Sequence, residues 1–217
     1  GGVQAESLEI FAADRSLKQI SIPTVNIISR QITSIGRYAF SYCYNLETLT
    51  VPHQSSVDRI LQGAFDNTKW QIERNHNHII DDMIIINGIL FRALDNRSEY
   101  VIPHVVQKVA EESFQNMDKL TKVQFATDSN GQLRVTSIEA NAFKDCINLN
   151  NIIIPHTVNR IGKSAFENTR LRSFYIQDTV ERPSQLLRIE DFAFRNAVEL
   201  TEISLGNFVN HIGLGEF

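Results

Sequence analysis

Histidine is the residue type in this chain best suited to holding a metal ion, and three of its six histidines occupy equivalent positions. His53, His104 and His156 each follow a proline at the same point of a repeated sequence pattern. If the repeats stack as strands about 5 Å apart, these rings lie at least about 10 Å from one another. A zinc–nitrogen bond is about 2 Å long, so no two of them can share an ion. We interpret all three as surface histidines in turns.

Two shorter clusters of potential ligands also lack what a metal site needs. His76 and His78 would project from the same face of an extended segment, because alternate side chains of a strand point the same way. The sequence places no third ligand beside them. Asp81 and Asp82 are adjacent, so in an extended chain their carboxylates would face opposite sides. We predict no metal site from either pair.

No set of residues in the sequence resembles a catalytic site. There is no G-x-S-x-G, H-E-x-x-H or phosphate-binding glycine motif. Cys43 and Cys146 each stand three residues after a phenylalanine of the repeat, which predicts small buried thiols. They are about three repeats apart, and a disulfide requires Cα atoms within about 7 Å, so we expect no bridge. We predict that the chain is not an enzyme and has no cofactor.

Charge and hydropathy restrict the partners of the chain. The 217 residues carry a net charge of −4, and the 21 lysines and arginines are scattered without a basic stripe. Nucleic acid is therefore not an expected partner. The longest apolar run, Met83 to Ile86, is far shorter than the about 20 residues that cross a bilayer, so we expect no membrane insertion.

A short phrase recurs through the chain and organises it. An aliphatic residue stands five positions before a phenylalanine in seven places. The pairs are Ile35/Phe40, Ile60/Phe65, Val109/Phe114, Ile138/Phe143, Ile161/Phe166, Ile189/Phe194 and Ile212/Phe217. From Phe143 to Phe166 the spacing is 23 residues, which we take as the basic period. Self-similarity at a period of about 20 to 30 residues predicts a solenoid, in which repeats bury their apolar faces against one another.

Each repeat is predicted to contain a strand, a corner and a helical turn. The strand has the pattern L-x-x-I-x-I, often ended by proline, as from Leu149 to Pro155. A second extended segment leads to a corner, where glycines such as Gly162 are expected to adopt positive φ. Apolar residues at i, i+1, i+4 and i+7 between Ala39 and Leu46 then favour one or two helical turns on the outer side.

The regular spacing is interrupted in three places. Two polar stretches, 126–135 and 177–187, lengthen their repeats and are predicted to be loops. Between Phe65 and Phe114, Asn87-Gly88 separates two apolar strands, which is a strong signal for a hairpin. We therefore predict a single domain over 1–217. It comprises repeats at 17–68, an irregular unit with the hairpin at 69–100, and repeats at 101–217 of which the last is incomplete.

These phrases resemble the BspA-like leucine-rich repeats, whose unit reads approximately L-x-x-I-x-I-P-x-x-V-x-x-I-G-x-x-A-F-x-x-C. The segment from Leu149 to Phe166 matches this pattern nearly position for position. Departures are local: Ala110 and Glu139 replace the glycine, and Thr68, Met117, Thr169 and Ala197 replace the cysteine. The resemblance implies an α/β solenoid, a leucine-rich-repeat horseshoe. Its parallel sheet of short strands would carry short helical turns on the outer side and one irregular hairpin insertion.

The resemblance also implies a class of function. Members of the family are mostly surface-exposed or secreted proteins linked to adhesion and to the binding of host or extracellular proteins. A non-enzymatic protein-binding module at the cell surface, or secreted, is therefore expected, with a protein of the host or the extracellular matrix as its partner. The alternative is a scaffold or spacer that presents another domain of a longer chain. The first residues, Gly1-Gly2-Val3, do not have the character of a signal peptide.

The side chains between the aliphatic positions of each strand are predicted to point outward from a concave sheet face. They form the candidate protein-binding residues. These are Thr48, Thr50, Lys122, Gln124, Asn151, Ile153, Ser173, Tyr175, Glu202 and Ser204. An ordinary solvated face remains the alternative, since no cluster of aromatic residues or arginines marks a binding hot spot.

Two further features bear on partners. Tyr38, Tyr42 and Tyr44 crowd one outer turn, where they would either bind carbohydrate or protein or pack over a neighbouring repeat. The last repeat ends at Phe217 without the polar cap that solenoids need. We therefore expect either a fragment of a longer repeat protein or self-association through the uncapped C-terminal repeat.

Overall fold

A computed structural model describes residues 12–22, 32–52, 55–73 and 76–215. Contacts divide the chain into two compact units, residues 1–89 and residues 90–217, and each is described by itself. The boundary lies inside the stretch predicted to be irregular. The prediction of one continuous domain stays a prediction. His53 and Phe217 lie outside the described residues.

The first unit consists of short paired strands and one helical turn. Its elements are β1 (Gln19–Ser21), β2 (Ser34–Ile35), β3 (Thr48–Thr50), β4 (Arg59–Ile60), α1 (Lys69–Ile72), β5 (Ile79–Ile80) and β6 (Met83–Ile86). Parallel pairs join β1 to β3 and β2 to β4, with Ile20 opposite Leu49 and Ile35 opposite Ile60. Equivalent aliphatic residues thus meet in register, as stacking repeats require.

The second unit has two parallel sheets built from alternate strands. After β7 (Ile89–Ala93), the strands are β8 (Glu99–Ile102), β9 (Lys108–Val109), β10 (Lys122–Phe125), β11 (Ser137–Ile138), β12 (Asn151–Pro155), β13 (Arg160–Ile161), β14 (Ser173–Gln177), β15 (Arg188–Ile189), β16 (Glu202–Ser204) and β17 (His211–Ile212). One sheet has the order β16-β14-β12-β10-β8, and β17-β15-β13-β11-β9 follow one another in the other. The predicted solenoid repeat with a parallel sheet of short strands is confirmed.

A column of phenylalanine rings forms the core of the second unit. The rings of Phe114, Phe143, Phe166 and Phe194 stack face to face on their neighbours at 4.9, 5.3 and 5.5 Å between centroids. All four side chains are buried. The residue that recurs in the sequence is therefore the residue through which successive repeats touch.

The segments around these phenylalanines are turns, and α1 is the one helix among the described residues. Alternate N–H groups around Phe143 donate to the next repeat, while those between them donate three residues back. The first set is Asn141 to Lys163, Phe143 to Ala165 and Asp145 to Glu167, at 2.9, 2.8 and 2.9 Å. The second set is Ala142 to Glu139, Lys144 to Asn141 and Cys146 to Phe143. Half of the donors that a helix would use internally thus bond to the neighbouring repeat.

Backbone angles explain why the predicted helical turns do not appear. The residues two before and two after each phenylalanine have positive φ, for example Asn141 at 56° and Asp145 at 61°. An α-helix needs negative φ throughout, so these two residues interrupt it. Asparagine and aspartate tolerate the left-handed region better than most residues, which fits their frequent use here.

The corner glycines are required for a reason other than the predicted positive φ. Gly162 and Gly213 do not have positive φ, so that expectation is wrong. A Cβ on Gly162 would lie 2.6 Å from both the Ala140 nitrogen and the Glu139 carbonyl carbon. Glycine is therefore needed because two backbones approach closely, not because of its conformational freedom.

The two cysteines are buried, as predicted. Cys146 donates its Sγ–H to the Phe114 carbonyl over 3.0 Å, and burial raises the pKa of this thiol to about 12. Where threonine replaces the cysteine, the hydroxyls of Thr68 and Thr169 donate to the carbonyls of Phe65 and Phe166 at 2.7 and 2.8 Å. These replacements satisfy their own hydrogen bonds and leave the turn intact.

The hairpin turn agrees with its sequence signal. Asn87 and Gly88 join β6 to β7 and have φ of 49° and 77°. Positive φ at both central residues is the requirement of a type I′ turn.

Candidate protein-interaction surface

Four strands of the five-stranded sheet of the second unit alternate between a buried and a more exposed side, whereas all three residues of the fifth strand, β16, are exposed. On β12, Ile152 and Ile154 are buried, whereas Asn151 and Ile153 between them are exposed. The same alternation holds on β10 and β14. The period of two in the sequence therefore placed these side chains on the correct side of the sheet.

Strand register arranges the exposed side chains in two rows. The polar row contains Glu99, Lys122, Asn151, Ser173 and Glu202. The mixed row contains Val101, Gln124, Ile153, Tyr175 and Ser204. Neighbouring strands of a sheet are about 4.8 Å apart, so each row extends for about 19 Å. We call these ten residues the interaction surface.

Eight of the ten predicted residues lie on this surface. The other two, Thr48 and Thr50, are exposed on β3 of the first unit, where they pair in register with Gln19 and Ser21.

Glu99 and Val101 were missed by the sequence analysis. They flank Tyr100, whose ring replaces the usual aliphatic residue and packs on Phe114 with 5.2 Å between centroids. The Val101-Ile102-Pro103 phrase, which parallels Ile153-Ile154-Pro155, is the signal that could have placed them.

The mixed row is notable for exposed apolar area. Val101, Ile153 and Tyr175 retain 51%, 54% and 41% of their surface exposed. Single exposed apolar residues are common on soluble proteins, but here three lie on one row of one sheet face. The row therefore offers apolar contact area in a polar setting.

The polar row is held by weak, exposed interactions. The Lys122 ammonium lies 3.6 Å from the Glu99 carboxylate, and both side chains are partly exposed. The Tyr175 hydroxyl donates to Glu202, and this hydrogen bond raises the pKa of Tyr175. An exposed ion pair such as Lys122–Glu99 contributes at most about 1 kcal/mol, so a partner could replace it at little cost.

The interaction surface combines several kinds of side chain. Its side chains are amides, hydroxyls, single charges and apolar groups. Among the described residues, no group of three or more histidine, cysteine or acidic side chains is arranged to hold a metal ion.

Comparison with known families gives a direct match. The family described as "BspA type Leucine rich repeat region" matches residues 7–133, 75–182 and 126–217, in six copies. The chain belongs to the BspA-type leucine-rich repeat family. No curated protein matches the sequence significantly.

Several solved structures are similar to this BspA-type chain. One is a leucine rich cell surface protein of Faecalibacterium prausnitzii, 21% identical over 94% of this chain and 51% of its own, with a TM-score of 0.37. Another is a leucine-rich repeat protein of Eubacterium ventriosum, 21% identical over 91% and 41%, with a TM-score of 0.46. A third, from T. pallidum, is 22% identical over 59% and 79%, with a TM-score of 0.34. The chain spans about half the length of the first two.

The histidines of this BspA-type chain are distributed as follows. His104 is exposed in a turn, as predicted, whereas His156 is only half-exposed. Burial, and then the charge of Arg182, lower the pKa of His156. His76 and His78 lie beside each other with 5.9 Å between ring centroids.

Trp70 contacts both of these adjacent histidines. Its ring stacks on His76 at 4.6 Å and meets His78 at 5.8 Å between centroids. The sequence analysis did not anticipate this aromatic cluster. Trp70 is the one tryptophan of the chain, and it was the feature of the sequence that could have indicated an aromatic cluster here.

The three tyrosines of the outer turn in the first unit were predicted either to bind carbohydrate or protein or to pack over a neighbouring repeat. Tyr38, Tyr42 and Tyr44 are all about half-exposed. The Tyr38 ring lies directly over Gly63, so this residue packs over a neighbouring repeat. Tyr42 and Tyr44 contact each other edge to face at 6.0 Å. Their part in binding stays a prediction.

No described helix combines the length and apolar character that crossing a membrane would require.

Proposed function

We propose that this chain is a non-catalytic protein-binding module that uses the interaction surface of the second unit. The observation that carries the proposal is the mixed row, where Val101, Ile153 and Tyr175 are exposed on one sheet face beside a row of polar groups. Apolar and aromatic anchors surrounded by polar groups are the usual composition of a protein interface.

The proposed partner is a protein of the host or the extracellular matrix. Exposed side chains spread over about 19 Å of one sheet face suit a macromolecular surface better than a small molecule, which needs a concave pocket. The same proposal places the protein at the cell surface or outside the cell, in line with the surface repeat proteins that its phrases resemble. Adhesion is the biological role that this location and partner would serve.

A pair of isoleucines allows a controlled test. Ile153 lies on the interaction surface and is 54% exposed, while Ile147 lies on a turn outside that sheet and is 49% exposed. The wild-type chain is first used to capture and identify a partner from extracellular-matrix extract. The affinity of the purified partner is then measured for Ile153→Ser and Ile147→Ser.

We expect Ile153→Ser to weaken binding and Ile147→Ser to leave it unchanged. Tyr175→Ala should weaken binding further, because it removes the one aromatic side chain of the surface. If the two isoleucine variants bind equally well, the interaction surface is not the binding site. If no partner is captured, the chain is better explained as a scaffold or spacer.

Self-association through the last repeat is a separate part of the proposal. Phe208 and Leu214 are 56% and 74% exposed among the described residues of that repeat. Light scattering during size-exclusion chromatography tests it. A dimer that Leu214→Asp converts to a monomer would support self-association, and a monomer at every concentration would refute it.

A further inference from the structure

The chain contains two Asn-Gly pairs, Asn87-Gly88 and Asn130-Gly131. This dipeptide is chemically labile because glycine has no Cβ to hinder attack of its backbone nitrogen on the preceding amide carbon. The two pairs have the same reacting groups but different neighbours, Ile86 and Ser129. A difference in reactivity beyond the one that these neighbours set must therefore come from the fold.

The Asn87 amide is held in place by the chain around it. Its Nδ2 donates to the Val57 carbonyl at 2.8 Å and to the Ser55 carbonyl at 3.3 Å. Both acceptors are distant in sequence, so the hydrogen bonds depend on the folded first unit. To react, Asn87 would have to give up both bonds and rotate its side chain out of a half-buried site.

Asn130 lies in a more open setting. It is exposed in the loop 126–135, one of the two stretches that lengthen their repeats. A Cβ built on Gly131 would have no atom within 4 Å. The turn is held locally, since the N–H groups of Asn130 and Gly131 donate to the side chain and the carbonyl of Asp128 at 2.8 and 3.0 Å. Reaction at Asn130 thus requires the opening of a surface turn rather than the removal of a half-buried side chain from its site.

We propose that Asn130 is a site of spontaneous deamidation in the folded protein and that Asn87 is protected. The Gly131 nitrogen loses its proton and bonds to Cγ of Asn130. The bond from Cγ to Nδ2 breaks, and the nitrogen leaves as ammonia. Water then opens the resulting five-membered imide at either carbonyl, which gives aspartate or isoaspartate at position 130.

The modification would alter a contact between the two long loops. The Arg182 guanidinium in the loop 177–187 donates to the Gly131 carbonyl at 2.9 Å. Isoaspartate inserts an additional methylene into the backbone immediately before Gly131 and so displaces this carbonyl. Either product also adds a negative charge beside Asp128. Deamidation would therefore release the loop 126–135 from the loop 177–187.

Peptide mapping by mass spectrometry tests the proposal. The folded chain is incubated at mildly alkaline pH, and deamidation at positions 87 and 130 is followed in the same sample. A parallel sample in denaturant gives the rates that the sequence alone sets. We expect Asn130 to react several-fold faster than Asn87 in the folded chain and the two to react at similar rates in denaturant.

Two variants sharpen the result. Asp128→Ala removes the carboxylate that holds the turn and should accelerate reaction at Asn130 without changing Asn87. Gly131→Ala adds a hindering Cβ and should suppress reaction at Asn130. Equal rates at both positions in the folded chain, or faster reaction at Asn87, would overturn the proposal. The proposal would also be overturned if the ratio of the deamidation rate at Asn130 to that at Asn87 were the same in the folded chain and in denaturant.

Discussion

The phenylalanine column of the second unit and the Trp70 cluster of the first unit both rely on stacked rings, but their chemistry differs. Phe143 stacks on Phe166 at 5.3 Å with 6° between ring planes. Trp70 stacks on His76 in a similar way, at 4.6 Å and 16°. The first pair is apolar, whereas the second includes a ring that can take up a proton. The stacking of the phenylalanine rings is therefore independent of pH, whereas the stacking on His76 is not.

The ionisation of His76 illustrates the difference. Both of its ring nitrogens are buried. Burial, and then the charge of His78, lower the pKa of His76 below its ordinary value of 6.5. The neutral ring is thus the form that fits the stack, and a proton on it would oppose folding.

The largest expected effect is the loss of a ring from the phenylalanine column. Phe143→Ala should lower the free energy of unfolding of the second unit by about 3 to 5 kcal/mol, because it leaves a cavity between two stacked rings. Urea denaturation followed by circular dichroism measures it. Phe125→Ala, at a half-exposed position on β10, is the control and should cost much less. Equal losses would show that the column has no special importance.

Close contact between backbones should produce the next largest effect. Gly162→Ala would force a Cβ to 2.6 Å from the Ala140 nitrogen, and we expect a loss of about 1 to 3 kcal/mol in the free energy of unfolding. At Gly131 an added Cβ meets nothing within 4 Å, so Gly131→Ala should cost only the strain of positive φ. Thermal unfolding compares the two. If Gly131→Ala is the more harmful, the explanation by close approach is wrong.

Acid should weaken the first unit through His76. Below pH 6.5, and down to the lowered pKa, the unfolded chain binds a proton that the folded chain does not. The free energy of unfolding should therefore decrease as the pH decreases, by at most about 1.4 kcal/mol per pH unit for this one group. The effect should disappear about one pH unit above 6.5, where the unfolded chain no longer binds this proton. Trp70 fluorescence in urea reports on this unit.

Substitution of His76 tests the assignment. His76→Phe keeps an aromatic ring on Trp70 and should remove this part of the pH dependence. His104→Gln changes an exposed histidine of the second unit and serves as the control. A pH dependence that persists in His76→Phe would assign it to another group.

The smallest effect is expected from one hydroxyl. Ser113 stands immediately before Phe114, where five of the other six repeats have alanine, and its Oγ is buried with no hydrogen-bond partner among the described residues. Ser113→Ala should raise the free energy of unfolding by about 1 kcal/mol. Ala142→Ser, at the equivalent position, should lower it by a similar amount. Denaturation midpoints that do not change in opposite directions would contradict this account.

The strands were predictable because their signal has a period of two. The L-x-x-I-x-I pattern states which side chains are buried, and the register of β12 and β14 follows from stacking equivalent residues. The exposed rows follow from the same alternation. Glu99 and Val101 were lost only because Tyr100 replaces an aliphatic residue beside an irregular stretch.

The outer turns were not predictable from apolar spacing alone. Residues at i and i+4 lie on one side of a helix, but they also lie on one side of a series of turns. Positive φ two residues from each phenylalanine distinguishes the turns from a helix. Asparagines at these positions, such as Asn116, Asn168 and Asn196, were the feature of the sequence that could have indicated turns. The Trp70 cluster follows no repeat pattern, so its contacts depend on tertiary packing.

Tyr38 and Gly63 restrict the order in which repeats can follow one another. Each stands two residues before a repeated phenylalanine, and the tyrosine ring occupies the space that a side chain at Gly63 would need. Phe192 covers Gly215 in the same way. A repeat with an aromatic residue at this position thus requires a successor with glycine there. Duplication or shuffling of such repeats would be tolerated only when the matched successor moves with them.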